Sequence, residues 1–344
     1  MKSNDMPIDF VIPWVDNADP VWQEQFLHYK LGNNTNSRQS SAIDSFRFRC
    51  WGTLKYWFRG VEQCAPWVNK VYFVTCGQCP DWLNVRNPKL VLVNHDEYIP
   101  LQYLPCFSSH PIELNFHRIK QLSEHFVYFN DDVFVMNNVE RDDFFLQGKP
   151  RYLIAEEPLF LRFINDDNTW WRILLNLSGV VNSKFKKREV IRKNMSLWFP
   201  IMNPRRLLNN LCMARFNYFS CFKISHVATP LLKSRMEAVW DAVPETLDST
   251  CRHRFRSPED VNQYIFYFWN IMTGYAKQIS HFFKTDKLTL TDSSLDMVAK
   301  VLRSSKAKMI CVNDTKDITD FNKAKEVIVS AFESRFPQKS SFEK

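Results

Sequence analysis

The stretch HFVYFNDDVFVMNN, from His125 to Asn138, decides how this chain is read. Its first five residues are aromatic or β-branched, the make-up of a buried strand. The run ends in two adjacent aspartates, Asp131 and Asp132. Three earlier segments share the pattern: IDFVIPWV (Ile8 to Val15), KVYFVTC (Lys70 to Cys76) and KLVLVNH (Lys89 to His95). Between the first two lies a helical pattern, SFRFRCWGTLKYWFRGVEQCAPW, closed by Pro66. Before the fourth strand, SHPIELNFHRIKQLSEHF also has helical spacing. Strands alternating with helices predict an α/β fold, doubly wound about a mostly parallel sheet. Ligands of such sheets bind beyond the carboxyl ends of the strands. Two carboxylates at that place repel each other and need a counter-charge. A divalent cation with a preference for hard oxygen ligands, Mg²⁺ or Mn²⁺, supplies it on Asp131 and Asp132. A solvated Asp-Asp turn is the plainer alternative.

Working outward, the chain has 344 residues and is 45% hydrophobic, enough for a large core. Only 7 glycines are present, and neither GxGxxG nor GxxxxGK[ST] occurs, which excludes the glycine-looped nucleotide binders. Nine scattered cysteines with a lone CxxC, Cys76 and Cys79, point to a reduced compartment rather than a disulfide framework. The start MKSNDMPIDFVIPWVD has no long apolar region, and the apolar run YIFYFWNIM (Tyr264 to Met272) is too short to span a bilayer. The expectation is a cytoplasmic protein. Part of the net charge of +8 sits in KFKKREVIRK, Lys184 to Lys193. That run is a solvated helix face, or a landing strip for an anionic polymer or an anionic membrane surface. The second alternative implies peripheral association with the inner face of the membrane. No RRM or helix-turn-helix signature supports a nucleic-acid partner.

Residues 158–225, with WWRILLNL and FPIMNPRRLLNNL, read as a largely helical insertion into a core made of 1–157 and 226–344. From HVATPLLKSRMEAVWDAV onward the pattern is again helical. KMICVND reads as a last strand and DFNKAKEVIVSAFESRF as an amphipathic helix.

Four segments together resemble the Stealth family of sugar-1-phosphate transferases, which includes bacterial capsular polysaccharide phosphotransferases and GlcNAc-1-phosphotransferase. They are IDFVIPWVDNADPVW; the stretch from SFRFRCWGTLKYWFRG through SSHPIELNFHRIKQLSEHFVYFNDDVF; SHVATPLLKSRMEAVW with FRSPEDVNQYIFYFW; and KMICVNDT with the terminal FPQKSSFEK. Asn17 stands where the family usually has Gly, and Cys50 where Asp is common. The resemblance implies a nucleotide-sugar-transferase-like fold. It also implies transfer of hexose-1-phosphate, or its N-acetylhexosamine counterpart, from a nucleotide sugar, UDP-linked, to a hydroxyl of a glycan acceptor. A nucleoside monophosphate would leave. Carried over residue by residue, Glu113, Asp132, His226 and Arg256 form the catalytic set. The motif around Glu113 adds His110, Asn115, His117 and Arg118 as substrate-binding residues. Asn130 of FNDD and Asn262 of FRSPEDVN join them.

The residue types suit that chemistry. Phosphoryl transfer needs positioning and charge neutralisation. Arg256 can clamp a phosphate through two parallel hydrogen bonds. His226 titrates near neutrality and can take the acceptor's proton. Glu113 could orient the histidine, hold a metal-bound water or grip the donor sugar. His110, Glu113 and His117, at i, i+3 and i+7, fall on one helix face. Trp14 and Asp16 end the first strand, where a uridine ring would lie, and Arg49 could meet the diphosphate. Two other readings are kept open: a metal-dependent glycosyltransferase that releases the nucleoside diphosphate, and a non-catalytic polysaccharide-binding protein.

Overall fold

A computed structural model describes residues 6–32, 48–159, 169–201, 203–279 and 285–344. The four expected strands are all present: β1 (Ile8–Pro13), β2 (Val71–Thr75), β3 (Leu90–Asn94) and β4 (His125–Tyr128). β1 lies between β2 and β4, and β3 continues beyond β2, all parallel. Successive side chains point to opposite faces, and both faces are apolar, so the sheet separates two cores. Ile8, Phe10, Ile12, Phe73 and Val127 enter one core with the helices Leu54–Cys64, Leu295–Ser304 and Phe321–Arg335. Val11, Tyr72, Val74, Phe126 and Tyr128 enter the other, with Thr169–Lys184, Lys233–Ala242 and Tyr264–Met272. This is the doubly wound α/β arrangement.

Three elements differ from expectation. TPLL, within the segment read as helical, is a strand (Thr229–Leu232) antiparallel to β4 at the edge of the sheet. An edge strand tolerates Pro230, whose missing N–H is not needed there. The helix read across SHPIELNFHRIKQLSEHF is short: Ser109–Leu114, then a 3₁₀ turn at Phe116–Arg118. Finally, VFV just after the aspartates is a separate strand, β5 (Val133–Val135). It pairs antiparallel with Met309–Asn313, which pairs in parallel with Thr285–Thr289. The Asp131–Asp132 turn is therefore the corner at which the chain leaves one sheet for another.

Within the middle region, helices occupy Thr169–Lys184, Lys187–Lys193, Met195–Trp198 and Pro204–Met213. The short strands Glu156–Glu157 and Cys221–Phe222 pair where the region leaves and rejoins the rest. Buried Lys187 bonds Glu156 there at 2.8 Å. No helix among the described residues is long and apolar enough to cross a membrane.

Candidate active site

The order of the sheet puts a crevice beyond β1, where strands run outward to β2 on one side and β4 on the other. Trp14 and Asp16 leave the end of β1, and Asn130 to Asp132 leave the end of β4. The Trp14 ring packs 5.7 Å from Phe73. Asp16 is held at both ends of its backbone by the Gln78 amide, at 2.8 Å each, and its carboxylate accepts from the Ala18 N–H at 3.0 Å. Cys50 lies within the fields of both Asp16 and Asp131, which raise its thiol pKa together with the larger effect of burial.

At the corner, Val133 N–H donates to the Asn130 carbonyl at 3.1 Å and closes the turn. Asp131 is open to solvent but walled by protein. That crowding, with Asp132 beside it, pushes its carboxyl up to about 7, while Arg256 pulls it down. Asp132 Oδ2 accepts from the Cys311 thiol at 3.3 Å, and its Oδ1 is buried with no hydrogen-bond partner among the described residues. His226 stands beside it. The antiparallel strand Thr229–Leu232 begins opposite Tyr128, so the residues just before it come to rest beyond the end of β4. Burial raises Asp132 and lowers His226, and each draws the other back toward its charged form. Lys287, on the strand Thr285–Thr289, faces both.

Arg256 is the common neighbour. It acts electrostatically on Glu113, Asp131, His226 and His110, and its Nη2 donates to Ser109 Oγ at 3.2 Å. Its loop is fastened from below. Buried Asp260 accepts from His110 Nδ1 and His253 Nδ1, both at 2.7 Å, and from the Ser257 N–H at 2.9 Å. Burial alone would raise Asp260, but these bonds outweigh it and hold the carboxyl below its ordinary value. Glu113 is 4% exposed. Burial pushes it up to about 7 against the pull of Arg256 and of hydrogen bonds from the Tyr128 hydroxyl and the Gln263 N–H. The Tyr128 hydroxyl has one proton, shared between Glu113 and Asn130 Oδ1, and so links Glu113 to the aspartate turn.

The structure thus gathers Glu113, Asp131, Asp132, His226 and Arg256 around one place. Other expected residues are engaged elsewhere. His117 falls beyond the end of its helix and packs against Trp240, 5.9 Å between rings. Asn115 is fully buried, donates to the Pro111 carbonyl at 2.8 Å, and accepts from Arg118 Nε at 2.9 Å. The Arg118 guanidinium lies over Trp240. Asn262 lies just ahead of the helix Tyr264–Met272 and accepts from the Tyr264 N–H at 3.2 Å. Arg49 is committed to Asp314, with contacts of 2.7 and 3.1 Å. Sequence reasoning missed Asp260, His253, Tyr128, Cys311 and Lys287. Only Asp260 carried a signal, as one of the two acids of FRSPEDVN. A cavity of about 50 Å³ adjoins the site, lined by Ser225, Val227, Thr229 and Tyr264 among others, and touches neither aspartate.

Among the described residues, Asp132, His226 and Cys311 bring donor atoms within 4.8 Å of one another. Burial and Asp132 raise the Cys311 thiol, which donates to the Asp132 carboxylate. The orphaned Oδ1 of Asp132 and the adjoining Asp131 carboxyl are the donors that fit a hard divalent cation.

Residues 47–152 match the family region described as Stealth protein CR2, conserved region 2, and residues 299–344 match CR4, conserved region 4. The capsular polysaccharide phosphotransferase WcwK of Streptococcus pneumoniae is 39% identical over 98% of this chain and 99% of its own. The receptor polysaccharide phosphotransferase WefC of Streptococcus oralis is 39% identical over the same shares of the two chains. Among solved structures, apo mouse xyloside xylosyltransferase 1 matches 89% of this chain and 98% of that one, at 12% identity and a TM-score of 0.35. With two conserved regions matched and such relatives aligned along nearly their whole length, the chain belongs to the Stealth family of transferases.

Proposed function

We propose that the protein transfers a hexose-1-phosphate or N-acetylhexosamine-1-phosphate from a UDP-linked sugar to a hydroxyl of a capsular or cell-surface polysaccharide. It would work in the cytoplasm, peripherally at the inner face of the membrane. The observation that carries the reading is the meeting of His226, Asp132 and Arg256 at the open ends of β1 and β4. A bond forms between the acceptor oxygen and the sugar-bearing phosphorus, the bond from that phosphorus to the bridging oxygen breaks, and a nucleoside monophosphate leaves. A neutral ring nitrogen of His226 takes the acceptor's proton, and Asp132 balances the imidazolium that results. Arg256 grips the transferring phosphate and neutralises charge that grows on its oxygens. Glu113 positions: through Tyr128 it braces the aspartate turn, and it balances Arg256 from behind. Mg²⁺ or Mn²⁺ held by Asp131 and Asp132 would supply charge neutralisation for the donor diphosphate.

The test incubates purified protein with a panel of nucleotide sugars, an acceptor glycan and Mg²⁺ or Mn²⁺, then identifies the nucleotide released and the linkage formed. UMP with a new phosphodiester supports the reading, and chelation should abolish both. Release of UDP with a plain glycosidic bond overturns it in favour of a glycosyltransferase.

A further inference from the structure

The helix Pro204–Met213 is inside out. Its inward stripe is Arg206, Asn210 and Met213, and its outward stripe carries Leu208 and Leu211, 64% and 49% exposed. The polar inward face has a reason. Asn210 donates to the carbonyls of Ile154 and Trp198 and accepts from the Glu156 N–H. Arg206 donates to the Ile279 carbonyl. The helix packs on backbone whose polar groups would otherwise go unpaired. Nothing in that arrangement requires leucines on the outside. Ile201 just before the helix, and Phe216 and Tyr218 just after it, are exposed too, at 83%, 60% and 72%. Arg205, in the first turn of the helix, and Arg215, two residues past its end, are both exposed. Between Arg172 and Lys223 there are eleven basic residues and one acid, Glu189, so this stretch alone exceeds the chain's net charge of +8.

We infer that this face docks on an anionic lipid surface. The leucines, Ile201 and Phe216 would enter the acyl boundary, and the arginines would meet the headgroups. A second copy of the chain would bring two strongly basic faces together. A sugar-phosphate polymer would satisfy the arginines but offer the leucines nothing. The inference deepens the peripheral location proposed above, and rests on it for place but not on the transfer chemistry.

The test is flotation of the full chain with vesicles of phosphatidylcholine alone or mixed with phosphatidylglycerol, without donor or acceptor. Binding should need the anionic lipid and weaken as salt rises. Leu208→Ser with Leu211→Ser should weaken it roughly tenfold or more. Arg205→Gln with Arg215→Gln should weaken it by roughly five-fold per charge. Lys300→Gln with Arg303→Gln, on an exposed helix face elsewhere, should change little. Thermal unfolding confirms that each variant folds. If wild type and leucine variant float equally, this surface is overturned while a peripheral location stands. If wild type does not float at all, both fall and the transfer reading is untouched. If a phosphodiester polymer binds wild type and leucine variant equally and vesicles bind neither, the face is a polymer track. If the leucine variant turns a dimer into a monomer in sedimentation, the face is a subunit contact. Either result also overturns the proposal.

Discussion

Glu113 weakens the fold that holds it. Its carboxyl titrates at about 7 instead of 4.5, chiefly because it is buried. Between those values the folded chain keeps a proton that the unfolded chain has released. Stability is therefore fully present below about 4.5 and lost as pH rises through about 7. The loss is about 3–3.5 kcal/mol at pH 8, from about 1.4 kcal/mol per unit. Glu113→Gln should raise the melting temperature by several degrees at pH 8, show little gain at pH 4, and depress transfer. Equal gains at both pH values would mean that the charge is fully compensated in place. His226 acts in the opposite direction in pH. Burial holds its pKa below 6.5, so the ring is free to accept a proton near neutrality. Activity should fall as pH drops through that lowered value. His226→Ala should lose about 10²–10⁴-fold in kcat and lose that acid limb, whereas a variant that keeps the limb would place the base elsewhere. Glu113, Asp132, His226 and Arg256 are legible as a set because each sits in a long, ordered motif. Spacing alone misplaces His117, because the helix that would carry it beside Glu113 stops at Leu114.

At the scale of elements, the strands with two apolar faces are readable from composition, and Thr229–Leu232 is not. Four residues with a proline, running straight into a helix, carry no periodicity of their own, and only pairing with β4 makes them a strand. Yet that pairing, antiparallel, brings His226 to Asp132. The helix Pro204–Met213 misleads in the opposite way, since periodicity would bury Leu208 and Leu211. A contact invisible in sequence joins the helix Leu54–Cys64 to β5: a Cβ on Gly60 would lie 2.4 Å from the Val135 carbonyl oxygen. Gly60→Ala should therefore destabilise by about 1–3 kcal/mol, and it should also weaken transfer, because β5 follows directly on Asp132. Gly179, helical with nothing within 4 Å of its would-be Cβ, is the control. Gly179→Ala should be neutral or stabilise by up to about 1 kcal/mol. Urea midpoints of the two variants decide it, and equal midpoints would mean that helix and strand separate freely.

At the scale of the whole molecule, His95 and His117 are buried and held neutral, their pKa values lowered to about 4 and about 3, mainly by burial. As pH falls below about 6.5 the unfolded chain takes up protons that the folded chain cannot, so stability is lost toward acid. Each should remove about 2 kcal/mol by pH 5. Glu113 acts the other way between about 4.5 and 7, but two histidines outweigh one carboxyl where the ranges overlap, so stability should peak near pH 6.5. His95→Gln with His117→Gln should flatten the acid side of a stability-against-pH curve, and an unchanged slope would assign it to other groups. The two sheets also have a consequence in time. Asp132 meets Cys311 across 179 residues of chain, and Arg59 meets Glu343 across 284. During synthesis the aspartate corner leaves the ribosome roughly ten to forty seconds before the strand that steadies it exists. A chain terminated before Lys287 would present Asp131 and Asp132 with neither Cys311 nor Lys287 beside them. A fragment that stops before Met309–Asn313 lacks the strand that pairs with β5 and fixes the aspartate corner.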